Sequence, residues 1–280
     1  MKGKTRLRPP DSQRAILEPD EYIDPADGLI HCRVCGKPKQ RYGVLFGVEH
    51  YFPIPCDCQK EQAAAEKRER EQEELEQHVN RLKADGLGWK ELQNYRFEEA
   101  QSLDPKVLVT LKNYCSQVGE KTVPGLLIWG PPGGGKTFAA ACIVNEILES
   151  CQPAIMTCFG QLLEELSGMN LQDRQKHLAG IFSKSLICLD DLDLRYLTKL
   201  TIPLAVDLMN RVDHSSKPVI ITTGYTLDEL RHPRTDLEEK IFRIIRRNTA
   251  PVYIGGRDLT SQIEQQHLMD LQGTLQTQSM

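Results

Sequence analysis

The chain has 280 residues, of which 40% are hydrophobic and 26% charged, and its formal net charge is −4. This length and composition predict a soluble globular protein with one domain of ordinary size and a small one. The charge excludes a global attraction to nucleic acid, so any such contact would depend on local basic patches. No apolar run approaches the roughly 18 residues that span a bilayer. The basic start, MKGKTRLRPPDS, lacks an apolar h-region, so we expect a cytoplasmic protein without a secretory signal or a membrane partner.

The first 85 residues differ in composition from the rest of the chain. Residues 1–30 are polar and rich in Pro, Asp and Arg, which predicts a flexible arm. Residues 31–85 form a second region, in which a cysteine-rich stretch with short β-like pieces precedes a charged stretch. The charged stretch 58–85, CQKEQAAAEKREREQEELEQHVNRLKAD, has no Gly or Pro and few apolar positions. It therefore predicts a solvated helix.

Four of the nine cysteines are clustered in this N-terminal region. HCRVCGK supplies a Cys-x-x-Cys pair followed by a glycine that can adopt positive φ, and PCDC supplies the second pair. Four thiolates match tetrahedral Zn²⁺, which predicts a zinc site formed by Cys32, Cys35, Cys56 and Cys58. An iron–sulfur cluster and unliganded thiols are the alternatives. A ribbon this small buries too little to fold alone, so the metal would serve as its core.

From residue 86 onward the pattern changes to alternating helices and strands. Helical patches occupy residues 89–124, and near-continuous apolar strands then alternate with helices. The predicted strands span 126–129, 154–158, 186–189, 219–223 and 252–254, and the predicted helices span 137–148, 161–166, 202–212 and 237–247. This alternation predicts an α/β domain over 86–258, a parallel sheet covered by helices on both faces. The polar, Gln-rich residues 259–280 predict a tail.

The stretch GPPGGGKT follows directly on the first of these strands and precedes a helix. Its glycines let backbone N–H groups approach phosphate oxygens, and the N-terminus of the helix adds its positive end. Lys136 would reach the β- and γ-phosphates, and Thr137 would offer its hydroxyl to Mg²⁺. The motif therefore predicts an ATP-binding loop formed by Gly130, Pro131, Pro132, Gly133, Gly134, Gly135, Lys136, Thr137 and Phe138.

An acidic pair ends the strand in LICLDDLD. A phosphate-binding loop needs a carboxylate for its metal at the end of a neighbouring strand. We expect Asp190 to hold Mg²⁺ through water and Asp191 to polarise the attacking water. Many hydrolytic enzymes have Glu where Asp191 stands, so the shorter side chain predicts slow turnover. The alternative is that the pair only ends a strand and caps a turn.

Two later segments also carry candidate site residues. The strand in PVIITTG ends in Thr222 and Thr223 at the edge where open α/β sheets bind ligands. The alternative for these threonines is β-branched residues that finish a strand. In KIFRIIRR the isoleucines form an apolar face, so Arg243, Arg246 and Arg247 point outward. One of them would reach a phosphate bound by a neighbouring subunit, unless the arginines form only a solvated face.

The cysteine pairs, the glycine loop, the acidic pair, the threonine strand and the basic helix follow one another along the chain. With these motifs in this order, the sequence resembles the DnaC/DnaI-like replicative helicase loaders of the AAA+ superfamily. The resemblance covers roughly residues 30–258 and rests on CRVCGK…PCDCQKE, YRF, GPPGGGKT, LICLDDLD, NRVDHSSKPVIITTGYTLDEL and RIIRRN. It implies an AAA+ P-loop sheet, preceded by a small zinc-binding domain and a charged helix. The residues that it assigns to catalysis are Lys136, Asp190, Asp191 and Arg247, with Arg243 beside it, and it places Thr223 with Gly224 at the sensor position.

The same resemblance implies the function. The N-terminal region would bind a hexameric replicative helicase, and the ATP-bound domains would self-associate and engage single-stranded DNA. Hydrolysis would then release the loader. Gly224 stands where the family usually carries Asn, and together with the Asp-Asp pair it implies slow, switch-like hydrolysis. Side chains for DNA contact are available on loops near the sheet edge, as basic residues Arg195, Lys199, Arg231 and Arg234 and aromatic residues Tyr196 and Tyr225.

Three other functions remain open from the sequence. An IstB-like transposition helper would have much the same ATPase core, although a zinc ribbon ahead of a helix is more typical of the loaders. A zinc-ribbon adaptor would keep a nucleotide pocket that binds ATP without hydrolysing it. A small-molecule kinase is the weakest alternative, because the sequence offers no lid or substrate motif.

Overall fold

The structure is a computed structural model, and it describes residues 17–100, 103–119 and 123–255. The chain divides into two compact units, Met1–Glu76 and Gln77–Met280. The predicted tail and the first sixteen residues of the predicted arm lie outside the described residues. In the part of the chain that the structure describes, no helix is long and apolar enough to cross a membrane.

The first unit contains two antiparallel hairpins. Strand β1 (Glu21–Ile23) pairs with β2 (Ile30–Cys32), and β3 (Gln40–Leu45) pairs with β4 (Val48–Pro53). Strand β1 lies inside the stretch that composition predicts to be an arm. Pairing with β2 supplies backbone hydrogen bonds there, and a polar composition gives no signal for them.

Helix α1 (Asp57–Gly86) begins in the first unit and ends in the second. Most of its side chains are exposed, as its sparse apolar positions predict. Ion pairs between side chains one turn apart stabilise the helix, such as the pair of Lys67 and Glu71 with 3.6 Å between Nζ and Oε1. Only Lys83 and Gly86, in its last turn, are buried. A Cβ atom on Gly86 would collide with the carbonyl oxygen of Ala154, so this close approach requires glycine.

The second unit is built on a parallel sheet with the strand order β6-β7-β8-β5-β9. The strands are β5 (Gly125–Trp129), β6 (Ala154–Cys158), β7 (Leu186–Asp190), β8 (Val219–Thr223) and β9 (Thr249–Tyr253). The helices are α2 (Pro105–Cys115), α3 (Lys136–Glu149), α4 (Phe159–Gly168), α5 (Leu171–Phe182), α6 (Thr201–His214), α7 (Leu227–Arg231) and α8 (Asp236–Asn248). The predicted α/β fold, a parallel sheet of the AAA+ kind, is therefore confirmed.

Each face of this sheet has its own apolar core. Ile128 and Ile220 pack with α3 on one face, whereas Leu127 and Ile221 pack with α4, α6 and α8 on the other. Alternate strand residues point to opposite faces, so strands buried on both sides read as continuous apolar runs. The carboxyl ends of β5, β7 and β8 meet at one edge, which places the loop after β5 beside the acidic pair after β7.

The sequence did not predict helices α5 and α7. On α5 only Leu178 and Ile181 are buried, and two apolar positions are too few to show a helical period in the sequence. The start of α5 is fixed by Asn170, whose side chain accepts a hydrogen bond from the backbone N–H of Asp173. Helix α7 has five residues and begins with a capping box between Thr226 and Glu229. Both helices depend on capping and tertiary packing more than on an apolar stripe.

Candidate functional site

The loop between β5 and α3 has the backbone shape of a phosphate-binding loop. Gly130, Gly133 and Gly135 have φ values of 151°, 71° and 91°. A Cβ atom on Gly130 would also collide with the carbonyl oxygen of Ile254. Side chains are disfavoured at such positions, so the loop requires glycine there. Backbone N–H groups of the loop and of the start of α3 can thereby turn toward an anion.

Lys136, the first residue of α3, folds back over this loop. Its Nζ donates to the carbonyl oxygens of Gly130 at 3.0 Å and Pro131 at 2.8 Å. Burial lowers the pKa of Lys136, and the nearby carboxylates Asp191 and Asp190 oppose this shift. An ammonium group held over the loop is placed to neutralise phosphate oxygens.

A hydrogen-bond network joins the start of α3 to the ends of β7 and β8. The Thr137 hydroxyl donates to Asp190 Oδ1 and Oδ2 at 3.2 and 3.1 Å. The Thr222 hydroxyl donates to Asp190 Oδ1 at 2.6 Å and accepts from the backbone N–H of Asp191 at 2.8 Å. Thr222 therefore fixes the orientation of the carboxylate that the sequence assigns to the metal.

The buried carboxylate of Asp190 is suited to bind a cation. Burial raises the pKa of Asp190, and hydrogen bonds from Thr222 and Thr137 oppose the rise. A buried carboxylate beside a hydroxyl is an oxygen ligand set that suits Mg²⁺ together with phosphate oxygens. The side chains of Thr137 and Asp190 thus fit a nucleotide-bound magnesium ion.

Asp191 has an exposed side chain and a left-handed backbone, with φ of 54°. That conformation is unfavourable for a residue other than glycine, and it is held here by the hydrogen bond from the Asp191 N–H to Thr222. The carboxylate lies at the sheet edge next to Asp190. Its role in polarising water stays a prediction.

Two residues predicted for the nucleotide site face elsewhere. Thr223 is fully buried, and its hydroxyl donates to the carbonyl oxygen of Leu192 at 2.7 Å. The ring of Phe138 packs against Tyr95 with 5.0 Å between ring centroids. The hydroxyl of Thr222, and not that of Thr223, contacts Asp190, because adjacent strand residues point to opposite faces. Counting that alternation from the apolar residues of β8 would have distinguished the two threonines.

The arginines of α8 differ in their surroundings. Arg247 forms an ion pair with Asp213, which also accepts from the Asn248 amide at 2.8 Å. Arg243 is exposed and has no ion pair or hydrogen bond with any side chain in the described ranges. Both side chains are exposed, so the role of either arginine in another subunit stays a prediction.

The loop after β7 changes the prediction about DNA-stacking aromatics. Tyr225 is buried, and its hydroxyl donates to Asp193 at 3.2 Å and accepts from the backbone N–H of Leu194 at 3.2 Å. It is therefore unable to stack on a base. Tyr196 is 81% exposed and remains available. Arg195 is tied to Asp193, with 2.6 Å between Nη2 and Oδ2, which offsets its charge.

The clustered cysteines of the first unit come together as predicted. The Sγ atoms of Cys32, Cys35, Cys56 and Cys58 all lie within 4.8 Å of one another. Four sulfurs bound to one Zn²⁺ at the usual bond length stand about 3.8 Å apart, so this spacing fits a single ion better than a cluster of several irons. Gly36 has the positive φ, 67°, expected of the knuckle. Backbone donors at Cys58 and Lys37 lower the pKa of Cys35 to about 6, which favours the thiolate.

His31 lies next to this cluster but is used for other contacts. Its Nε2 is 3.0 Å from Asp27 Oδ2 and its Nδ1 is 2.9 Å from the carbonyl oxygen of Gly36. Both ring nitrogens thus have protein partners. The four sulfurs remain the candidate ligands, and zinc binding itself stays a proposal.

The second unit combines a parallel sheet and a glycine loop with the side chains of Thr137 and Asp190. These features define an ATP-binding domain of the AAA+ kind. Residues 59–237 match the model of a family described as IstB-like ATP binding protein. The chain belongs to this family. Comparison with curated protein sequences gives no match.

Several solved structures resemble the chain in fold. The crystal structure of the DnaC helicase loader matches with a TM-score of 0.51 and 21% identity, over 59% of this chain and 99% of that one. The crystal structure of DnaI matches with a TM-score of 0.51 and 22% identity, over 60% of this chain and 95% of that one. At this identity the likeness establishes a shared fold.

Thr222→Val is expected to slow ATP hydrolysis about tenfold without a comparable loss of ATP affinity. The substitution removes a hydrogen bond to a charged group, so the Asp190 carboxylate is held only by its contacts with Thr137. Thr223→Val is the matched control, because the hydroxyl of Thr223 bonds the Leu192 carbonyl instead. Steady-state rates and ATP titrations of both variants make the comparison. Equal rates in the two variants would contradict the role assigned to Thr222.

Proposed function

We propose that the second unit hydrolyses ATP slowly and uses its nucleotide state as a switch. The supporting observation is the network of Thr137, Asp190 and Thr222 beneath Lys136. When bound, Mg²⁺ would offset the charge of the β- and γ-phosphates, held by Thr137 and Asp190. Lys136 would neutralise the phosphate oxygens, and Asp191 would polarise the attacking water.

Two features favour slow turnover. Asp191 is one methylene shorter than Glu, so its carboxylate reaches less far toward a water at the γ-phosphate. Gly224 is exposed, and a Cβ atom there would meet nothing within 4 Å. No side chain at this position orients water or senses phosphate. A slowly hydrolysing site suits a protein that must keep ATP bound for some time before the protein is released from its target.

We further propose that the switch serves helicase loading. The fold shared with DnaC and DnaI supports this role, as does a cysteine-ligand unit ahead of the ATPase unit. The partners would be a hexameric replicative helicase, single-stranded DNA and further copies of the chain. In this proposal the ATP-bound state favours self-association and contact with single-stranded DNA.

The hairpin formed by β3 and β4 is the candidate helicase contact in the first unit. Phe46 at its tip is 97% exposed and has a left-handed φ of 50°, which is unfavourable for a phenylalanine. Leu45 and Val48 stand opposite each other beside it and are also exposed. The stretch YGVLFGV contains no charged residue. An uncharged apolar tip suits a protein cleft rather than a nucleic acid.

The candidate contact with single-stranded DNA is the loop after β7. Tyr196 offers an exposed ring on which a base can stack, and Lys199 is an exposed cation on the same loop. This loop directly follows the acidic pair of the ATP site. A strand bound there would be next to the γ-phosphate.

Arg243→Ala is expected to lower the concentration-dependent part of the ATPase rate on the order of tenfold. An arginine supplied by a neighbouring subunit stabilises charge on the transferred phosphoryl group only when subunits assemble. Arg247→Ala should mainly lower thermal stability, because its ion pair with Asp213 holds the end of α8. ATPase rates over a range of protein concentrations and melting curves make the measurement. A larger rate loss in Arg247→Ala would support the order that the sequence predicts.

Retention of a partner in a pull-down distinguishes the loader from a transposition helper, the second candidate that the family name favours. Immobilised protein is incubated with purified helicase or transposase of the same host, with ATP, ADP or no nucleotide. A loader retains the hexameric helicase, most strongly with ATP. Retention of the transposase alone would contradict the loader proposal and support the IstB-like alternative.

A further inference from the structure

The charged side chain of Lys83 is buried in the last turn of α1. Lys83 is 7% exposed, although a lysine is almost never buried to this degree unless it is paired. Its Nζ donates to Oε1 of Glu149 at 2.6 Å, and among the described residues Glu149 is its only ion-pair partner. Removal of this partner would leave a buried charge without compensation, which is strongly destabilising. Glu149, the last residue of α3, therefore holds the end of α1 in place.

Glu149 also fixes the segment that follows α1. Its Oε1 lies 2.9 Å from Nη2 of Arg96. Nη1 of Arg96 donates to the carbonyl oxygens of Gln93 and Tyr95 at 2.9 and 3.0 Å. The side chains of Glu149 and Arg96 are 37% and 31% exposed, so water can replace either partner when the contact opens. One carboxylate oxygen thus joins the ends of α1 and α3 to this segment, through a contact that can open locally.

One face of α3 continues this contact toward the phosphate-binding loop. The Asn145 amide donates to two carbonyl oxygens of residues 92–95, at 2.6 and 3.2 Å. In the first turn of α3, the ring of Phe138 packs against Tyr95. Phe138, Asn145 and Glu149 follow one another at spacings of seven and four residues, which place them on one face of a helix. The end of α1 and the segment after it therefore contact α3 from its first turn to its last residue.

Helix α3 carries the ATP site at one end and the anchor of α1 at the other. It has 14 residues and is about 21 Å long. Phosphates bound at its N-terminus restrain the helix, and a restrained helix loses less entropy when its other contacts stay closed. We infer that nucleotide binding orders the last turns of α1 through the Glu149 contact, so that this helix responds to the nucleotide state. The inference rests on the proposed ATP site, and it requires neither hydrolysis nor a helicase.

Hydrogen exchange of residues 77–86 in the full chain tests this coupling. We expect Mg²⁺ with AMPPNP, a non-hydrolysable ATP analogue, to slow exchange of these amides about fivefold in the wild-type protein. Glu149→Gln should abolish this response and weaken AMPPNP binding about fivefold, because coupling between two sites is reciprocal. Glu146→Gln is the matched control, since Glu146 is exposed one turn earlier on α3 and forms no ion pair with any described residue.

A double variant separates the coupling from a loss of packing. Lys83→Met combined with Glu149→Gln leaves no unpaired buried charge, so we expect wild-type circular dichroism while the response to AMPPNP stays absent. A response retained in Glu149→Gln or in the double variant would overturn the inference, as would its loss in Glu146→Gln. Unchanged exchange in a wild-type chain saturated with AMPPNP would overturn the inference alone, whereas a failure to bind AMPPNP would overturn the ATP site as well.

Discussion

Lys136→Ala is expected to abolish ATP turnover, with a rate loss of about a thousandfold. Lys136 is the cation that folds over the phosphate-binding loop, and removing such a preorganised charge costs orders of magnitude in phosphoryl transfer. Binding of ATP should weaken as well, because the same ammonium group contacts the ground-state phosphates. Release of inorganic phosphate and binding of a fluorescent ATP analogue measure the two effects.

Lys106→Ala is the matched control for this prediction. Lys106 is an exposed lysine of the same unit, at the start of α2, away from the loop. The Lys106→Ala substitution should leave both the ATPase rate and the affinity for ATP unchanged. A wild-type chain that binds ATP but shows no turnover, with or without single-stranded DNA, would contradict the enzyme proposal and favour the adaptor alternative.

Cys32→Ser is expected to release the metal and unfold the first unit while the second unit keeps its fold. The hairpins of the first unit are short, and two-stranded hairpins are marginal in water without further support. Structural zinc contributes on the order of 10 kcal/mol to folding such units. Zinc content by mass spectrometry and hydrogen exchange of residues 17–56 give the readout.

Cys151→Ser is the control, because this cysteine lies outside the cluster, at the end of α3. It should retain zinc and the slow exchange of the hairpins. A metal-free Cys32→Ser chain with unchanged protection in both hairpins would contradict the structural role of the metal. A visible absorption band in the wild-type protein would instead indicate an iron–sulfur cluster.

The parallel sheet was predictable because its strands are buried on both faces. Runs such as LLIW and VIITT contain no charged residue, and each is followed by a glycine at the same sheet edge. The phosphate-binding loop was predictable for a similar reason: the conformations of Gly130 and Gly135 restrict those positions to one residue type. Local constraints of this kind are visible in a single sequence.

The surroundings of the predicted site residues depend on tertiary contacts. Arg243 and Arg247 lie on the same helix with similar neighbours, and only the position of Asp213 on α6 separates them. Residues 85–92 return to the edge of β6, where Leu87 bridges to Met156. No local pattern indicates that return. The surroundings of these residues therefore depend on contacts between distant segments, which composition and periodicity do not indicate.

Transfer of a helicase onto a closed circle of single-stranded DNA tests the central proposal most directly. The protein, the purified hexameric helicase of the same host and a circular strand are mixed with ATP, and helicase that stays on the DNA after a high-salt wash is quantified. A closed circle has no end for a hexamer to thread, so retention requires a loader that opens the ring. We predict retention with the wild-type protein and ATP, and its loss with Lys136→Ala or without nucleotide. Equal retention in the absence of the protein, or in the presence of Lys136→Ala, would contradict an ATP-dependent loader.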